Sequence, residues 1–212
     1  MLGYMMRYHP AFRDLCQRDL SDVFQFTFTI GHDVTQWRQN WKFSESYAAH
    51  AYGGGVLLDL CHELDMAHCL FPKAKLISVQ SQGHIAYPGV DMASKISLEA
   101  DGIAGDVAMD YLTPRLHRRA ILRGWKASYD FDFAAQIYQH SRFDDAGQSD
   151  HPLERNAMFM DAMRDFLALV SGHQPSGIEH LPRLDLALPS ARLAAEAWAA
   201  RRFIGTIDKE IP

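Results

Sequence analysis

The residues that could carry chemistry are concentrated between positions 53 and 65, where the sequence reads GGGVLLDLCHELD. Apolar residues recur at helical spacing after the glycines, and Pro72 can stop a helix, so the sequence predicts a helix to about residue 71. Residues three or four apart share one helix face, which places Asp59, His62 and Glu63 together. Asp59 could orient the imidazole of His62 and raise its basicity, as suits a general base for a hydroxyl proton. The alternative is that these groups form the solvated face of an amphipathic helix.

A zinc site on the same helix is a second alternative. Four potential ligands follow one another at i, i+4, i+7 and i+8: Cys61, Asp65, His68 and Cys69. Thiolate and imidazole groups suit zinc, but four ligands from one straight helix can hardly surround an ion tetrahedrally. The sequence therefore favours no metal site.

Composition limits the class of protein. The chain has 212 residues, 48% of them apolar and 22% charged, with a net charge of −5. No basic stripe indicates a nucleic-acid partner, and no apolar run approaches the roughly 20 residues that span a bilayer. The N-terminus does not have the pattern of a signal peptide. The three cysteines are too few for a disulfide scaffold and indicate a reducing compartment. We therefore expect a cytoplasmic protein with neither a nucleic-acid nor a membrane partner.

The other elements must position the glycine-rich helix. Strict alternation in DVFQFTFTI predicts a strand with Phe24, Phe26, Phe28 and Ile30 on its buried face. An aromatic-rich loop of about 20 residues follows, and loops of that length are more often functional than idle. The periodic patterns predict further helices at 10–20, 153–171 and 189–204, further strands at 75–86, 93–99, 103–112 and 117–125, one or two less distinct strands at 129–143, and a loop at 144–152.

Consecutive strands joined by short turns form an antiparallel sheet, and the helices must cover one of its faces. The sequence thus predicts one α+β domain over residues 1–212, with a largely antiparallel open-faced sheet and helices packed on one face.

Three segments together resemble the C-terminal half of the glucose–fructose oxidoreductase / inositol dehydrogenase / MocA family: GYMMRYHPAFRDL at 3–15, WRQNWKFSESYAAHAYGGGVLLDLCHELDMAHCLF at 37–71 and MDYLTPRLHRRAILRG at 109–124. The similarity runs from residue 3 to about residue 172. Members of this family are NAD(P)-dependent and act mostly on sugars, cyclitols and sugar-nucleotide-like substrates.

The resemblance implies a role for each matching position. Asp59 would contact the substrate, and His62 would accept the proton when a hydroxyl is oxidised. The spacing between them is three residues where many members have four, which leaves open whether His62 or Glu63 faces the substrate. The substrate-binding positions implied by the resemblance are Arg38, Tyr47, Gly54 and Gly55.

The resemblance does not extend to a cofactor domain. The sequence contains no G-x-G-x-x-G turn for a dinucleotide and no Glu-Lys-Pro segment, whose lysine assists proton transfer in the family. Residues 1–8 correspond to the crossing from the nucleotide domain into the substrate domain. We therefore expect no cofactor on this chain, although the full-length family implies NAD or NADP.

Two hypotheses follow. The first is a substrate-binding and oligomerisation domain of an NAD(P)-dependent oxidoreductase that acts on a sugar, cyclitol or sugar-nucleotide hydroxyl and is inactive alone. A separate Rossmann-domain chain is a possible partner. The second is a non-catalytic binding or assembly module that retains the sheet fold. In the family the open sheet face packs against another subunit, so the resemblance implies a homo-oligomer through this face, where Gln25, Thr27, Thr29, Ala104 and Ala108 are mild enough to form an interface.

Overall fold

The computed structural model describes residues 1–37 and 39–211. The helices are α1 (Pro10–Cys16), α2 (Val56–Asp59), α3 (His62–Leu70), α4 (Arg155–Val170) and α5 (Leu184–Ala199). The strands are β1 (Val23–Gly31), β2 (Lys75–His84), β3 (Ala93–Ala100), β4 (Ile103–Asp110), β5 (His117–Gly124), β6 (Ala127–Asp132), β7 (Ile137–Arg142), β8 (Ala146–Ser149) and β9 (Arg201–Ile207). In this part of the chain no helix is long and apolar enough to cross a membrane.

The strands form one sheet in the order β8-β7-β6-β5-β1-β4-β3-β2-β9. Its β1–β4 and β2–β9 pairs are parallel and its other neighbouring pairs are antiparallel. The predicted α+β class is therefore confirmed, but the sheet is mixed, although most of its pairs are antiparallel. The prediction assumed that consecutive strands pair, whereas β1 lies between β4 and β5, which are much later in the chain.

The main core lies between one face of the sheet and the helices. Phe26, Phe28 and Ile30 of β1 are buried there beside Val107 and Met109 of β4. Helices α2 and α3 pack over the central strands, and α5 packs over β2. Alternating apolar residues thus fix which face of the sheet the helices cover.

Phe24 departs from the predicted alternation. It is 44% exposed and its ring stacks on exposed Trp125, with centroids 5.9 Å apart. The pairing of β1 with β5 shifts register between Val23 and Gln25, and a bulge of this kind turns a side chain to the opposite face. The prediction that Phe24 faces the core is therefore wrong.

The C-terminal elements also differ from the prediction. Helix α5 begins at Leu184 and contains Pro189, which the sequence reading placed near the start of a helix over 189–204. Residues 201–207 instead form β9, parallel to β2. Strand β8 lies within the stretch predicted as a loop. Both extra strands are at the sheet edges, where pairing with a neighbour decides the conformation more than local pattern does.

Helix α4 joins this core through the N-terminal turn Met5–Tyr8. The Tyr8 hydroxyl donates a 3.0 Å hydrogen bond to buried Asp165, and Ala162 packs against Tyr8. Other apolar side chains of α4, including Met163 and Phe166, are exposed. The helix is therefore attached along one side.

Candidate functional site

The glycine run packs tightly against the protein. Gly55 has a φ of +95°, which favours glycine, and a Cβ at this position would collide with the carboxylate of buried Asp91. A Cβ on Gly54 would collide with the carbonyl oxygens of the 47–50 turn. Gly54 and Gly55 therefore have a structural reason to be glycine, and their predicted contact with substrate stays a prediction.

Asp91 caps the helix that follows the glycines. Its Oδ2 accepts a 2.9 Å hydrogen bond from the Leu57 backbone N–H, and its Oδ1 pairs with Arg201. The N-terminus of α2 is thus already occupied by a carboxylate, although such a terminus would otherwise attract phosphate. The residues around this glycine run do not fit the pyrophosphate of a dinucleotide.

The predicted single helix is broken in two. Helix α2 ends at Asp59 and α3 begins at His62, with Leu60 in a non-helical conformation. Residues on either side of such a break no longer share a face at i, i+3 spacing, which was the basis for grouping Asp59, His62 and Glu63. The prediction that these three side chains leave the core together is therefore wrong.

Asp59 is held by two phenol groups. Tyr111, which is fully buried at the end of β4, donates a 2.8 Å hydrogen bond to Asp59 Oδ2, and Tyr47 donates one to Oδ1. Burial and the Asp59 carboxylate raise the pKa of Tyr111 far above its ordinary value, so this phenol remains a proton donor. Tyr47 is 60% exposed, so of the two phenols that donate to Asp59 it is the one at the protein surface.

Tyr111 is the residue of this group that the sequence reading missed. It lies inside the segment MDYLTPRL that supported the family resemblance, but a tyrosine at the end of a predicted strand gives no signal of its own. Its ring also contacts Trp37 and Phe43, with centroid distances of 5.5 and 5.7 Å. Tyr111 therefore links the carboxylate to the aromatic loop.

A pocket of about 240 Å³ opens beside Asp59. It is lined by Trp37, Trp41, Glu45, Ser46, Tyr47 and Asp59. The indole Nε1–H of Trp37 is buried and has no acceptor in the described residues. A buried donor without a partner costs about 1–3 kcal/mol, so a ligand oxygen that reached this group would gain a favourable interaction. Aromatic walls with a few polar groups are the usual composition of a small-molecule site.

His62 lies apart from the Asp59 hydrogen bonds. Its Nδ1 is buried without a partner in the described residues, and its ring lies edge-on to Tyr4, with centroids 6.2 Å apart. Burial and the nearby Arg118 guanidinium lower the pKa of His62 to about 4. Asp59 therefore does not raise the basicity of His62 as the sequence predicted, and the catalytic role of His62 stays a prediction.

Glu63 forms a buried ion pair with Arg118. Its carboxylate is fully buried and accepts a 2.7 Å hydrogen bond from Arg118. Burial raises the pKa of Glu63, and Arg118 opposes that effect. Glu63 thus faces β5 and is not a lining residue of the Asp59 pocket.

Asp65 also forms a buried ion pair. Its carboxylate pairs with the guanidinium of Arg7 at 2.5 and 2.9 Å, and both side chains are buried. Arg7 also donates to the His180 carbonyl and the Ser190 hydroxyl, which connects α3 to α5. Across residues 1–37 and 39–211, no three His, Cys, Asp or Glu side chains are grouped as a metal site requires.

Arg38 is the remaining predicted substrate-binding residue, and it lies outside the described residues. Trp37, which precedes it in the sequence, and Tyr47 both line the Asp59 pocket. Of the predicted site residues, the structure thus brings Tyr47 and Asp59 together and leaves His62 among Tyr4 and Arg118.

The mixed open sheet covered by helices on one face belongs to a known class of C-terminal domain. The sequence profile of the GFO/IDH/MocA C-terminal domain matches residues 15–130. Because that match covers more than half of the 212 residues, the chain belongs to the GFO/IDH/MocA family. The resemblance described from the sequence is confirmed. A search of curated protein sequences returns no match.

Two solved structures with the same fold are a dehydrogenase and a ketoreductase. One is the UDP-N-acetylglucosamine 3-dehydrogenase GnnA from Acidithiobacillus ferrooxidans, with a TM-score of 0.68, 18% identity, and coverage of 93% of this chain and 59% of that one. Another is KijD10, a 3-ketoreductase from Actinomadura kijaniata in complex with NADP and TDP-benzene, with a TM-score of 0.74, 18% identity, and coverage of 96% and 62%. This chain thus spans about three fifths of the length of these structures.

Proposed function

We propose that this chain is the substrate-binding domain of an NAD(P)-dependent oxidoreductase that acts on a hydroxyl group of a sugar nucleotide or a related sugar. The observation that carries the proposal is the Asp59 carboxylate, which Tyr47 and Tyr111 hold at an aromatic-walled pocket. Carboxylates that accept from sugar hydroxyls and rings that stack on sugar faces are the groups such a substrate needs. The solved relatives, one a sugar-nucleotide dehydrogenase and one a ketoreductase with bound NADP, support this substrate class.

In this proposal, Asp59 binds and orients the reacting hydroxyl. Tyr111 fixes Oδ2 from the buried side, so Oδ1, which Tyr47 contacts from the exposed side, is the oxygen that a substrate hydroxyl can approach. His62 is neutral at neutral pH because its pKa is about 4, so it can accept a hydrogen bond or a proton but is a weak base there. The chain's own residues thus account for hydroxyl binding and orientation.

The hydride acceptor is a separate requirement. In such oxidoreductases the nicotinamide takes the hydride, and the protein supplies binding and orientation. Since Asp91 occupies the N-terminus of α2, we propose that the cofactor is held elsewhere, by a further domain or a separate Rossmann-type chain, and that residues 1–212 alone do not turn over substrate.

Calorimetric titration of UDP-N-acetylglucosamine into the chain tests the binding function. Wild-type protein should bind, and Asp59→Asn should lower the affinity tenfold or more, since a hydrogen bond to a charged group contributes about 1.5–3 kcal/mol and about 1.4 kcal/mol is a factor of ten. Asp144→Asn is the matched control, because Asp144 is exposed and lines none of the pockets described above. Failure of the wild-type chain to bind at millimolar concentration would contradict the proposed function.

The second candidate is an assembly module, and a specific observation favours it as well. The stacked rings of Phe24 and Trp125 are 44% and 74% exposed, and Phe24 lines a recess with Ile121 and Arg123 on the open sheet face. Aromatic residues are enriched in protein interfaces. If this face joins two copies, Trp125→Ser should reduce the mass measured by light scattering, whereas Trp125→Phe should not.

A further inference from the structure

The size and the charged lining of the Asp59 pocket bear on which sugars it can hold. This inference rests on the function proposed above. The pocket is lined by Trp37, Trp41, Glu45, Ser46, Tyr47 and Asp59, and its volume of about 240 Å³ is below the roughly 300–1,000 Å³ of sites that enclose drug-sized ligands. A whole sugar nucleotide does not fit in that space, whereas a single sugar ring does.

The charged groups on the pocket wall all carry the same sign in the described residues. Glu45 and Asp59 are both acidic, and the indole rings of Trp37 and Trp41 line the same pocket. A pyranose presents an apolar face of C–H groups and a rim of hydroxyls, which match indole faces and carboxylate acceptors respectively. A carboxylate on the ring would meet the negative charge of Asp59 and that of Glu45, which the Lys42 ammonium 3.3 Å away offsets in part.

The neighbouring recess has the opposite character. It is lined by Thr35, Gln36, Gln39, Asn40, Trp41 and Lys42, so Trp41 borders both spaces. Its charged lining residue is Lys42, which forms an exposed pair with Glu45 at 3.3 Å. The site is thus acidic and aromatic on one side of Trp41, and amide-rich with a cation on the other.

We propose that the Asp59 pocket receives the pyranose ring of an uncharged sugar and discriminates against the corresponding uronic acid. The diphosphate of the sugar nucleotide then extends past Trp41 towards Lys42 and the amide-rich recess. Glu45 is the specificity-determining residue of this arrangement, because it contributes negative charge at the pocket wall without taking part in the Asp59 hydrogen bonds. Repulsion of like charges is an effective way to exclude a wrong ligand.

The experiment compares two ligands that differ at one carbon. UDP-N-acetylglucosamine and UDP-N-acetylglucosaminuronic acid, which carries a carboxylate at C6, are titrated by calorimetry into the wild-type chain. The uronic acid should bind at least about tenfold more weakly. Glu45→Gln should reduce that ratio about threefold or more, chiefly by strengthening binding of the uronic acid.

Glu196→Gln is the control, because Glu196 is exposed on α5 and lines neither recess while the charge change is the same. It should leave the ratio unchanged. Equal or tighter binding of the uronic acid by the wild-type chain, or a ratio that Glu45→Gln does not change, would overturn this inference and leave the proposed function standing. Failure of both ligands to bind would overturn the proposed function, and this inference with it.

Discussion

The hydroxyl of Tyr111 donates a 2.8 Å hydrogen bond to Oδ2 of Asp59, across 52 positions of sequence. Tyr111 follows the last residue of β4, and Asp59 is the last residue of α2, so this bond joins the sheet to the helical layer. The Tyr111 ring also packs against Trp37 and Phe43. One buried residue therefore positions both the carboxylate and the aromatic wall of the candidate site.

Tyr111→Phe should weaken sugar-nucleotide binding about tenfold, because Asp59 loses a charge-assisted hydrogen bond and with it the fixed orientation that presents Oδ1 to the ligand. Tyr138→Phe is the matched control, since Tyr138 is equally buried and its hydroxyl has no partner in the described residues. It should leave binding unchanged and should not lower stability. Calorimetry and thermal melts check both variants, and equal losses of affinity would contradict a positioning role for Tyr111.

Asp65→Asn should lower the free energy of unfolding by about 3–5 kcal/mol, because it leaves the buried guanidinium of Arg7 without its counter-charge. Asp101→Asn removes an ion pair with Lys73 in which both side chains are mostly exposed, and it should cost less than about 1 kcal/mol. Urea denaturation of the two variants measures the difference. A small effect at Asp65 would show that Arg7 finds other acceptors.

Gly55→Ala should destabilise the protein by more than Gly53→Ala. Both glycines have a positive φ, +95° and +86°, so both substitutions incur the left-handed penalty of about 1–2 kcal/mol. A Cβ at Gly53 meets open space, whereas a Cβ at Gly55 collides with the Asp91 carboxylate that caps α2. The difference in unfolding free energy between Gly55→Ala and Gly53→Ala therefore measures the cost of the collision with Asp91. Equal free energies for the two variants would contradict the collision.

Stability should fall as the pH is lowered from 6.5 to 4. Burial, with Arg118 second, lowers the pKa of both His9 and His62 from 6.5 to about 4. Between pH 4 and pH 6.5 the unfolded chain binds more protons than the folded one. The free energy of unfolding therefore rises with pH over this range. Each histidine contributes on the order of 3 kcal/mol at most, from about 1.4 kcal/mol per pH unit.

The charged groups around His62 are Arg118 and Asp65, and His9 lies near Arg118 and His151. His9 Nδ1 also accepts a 3.2 Å hydrogen bond from the Ala11 backbone N–H at the start of α1, which protonation would break. His62→Gln should therefore flatten the dependence of stability on pH between 6.5 and 4. The exposed His173→Gln should leave the slope unchanged. A slope that His62→Gln does not alter would show that folding does not lower the pKa of His62.

Much of the architecture is local in origin and could be predicted. Strand β1 follows from the alternation of Phe26, Phe28 and Ile30, and the β3–β4 hairpin from the Asp101–Gly102 turn. The position of Asp59 after the glycines and the presence of Tyr47 in the aromatic loop were also visible in the sequence. These features depend on residues close together in the chain, where periodicity and turn chemistry act.

The strand order of the sheet and the set of residues that meet at the site were decided by the tertiary structure. Strand β1 pairs with β4, and Glu63 is buried against Arg118; in both cases the partner is more than 40 positions away in the sequence. The break between Asp59 and His62 goes with the packing of α2 and α3. A helical wheel assigns Glu63 to the same face as Asp59, but the distant guanidinium of Arg118 is what stabilises its carboxylate in the core. The sequence alone determined which residues were available for a site, and the fold decided which of them meet, because burial and ion pairing are set by neighbours in space.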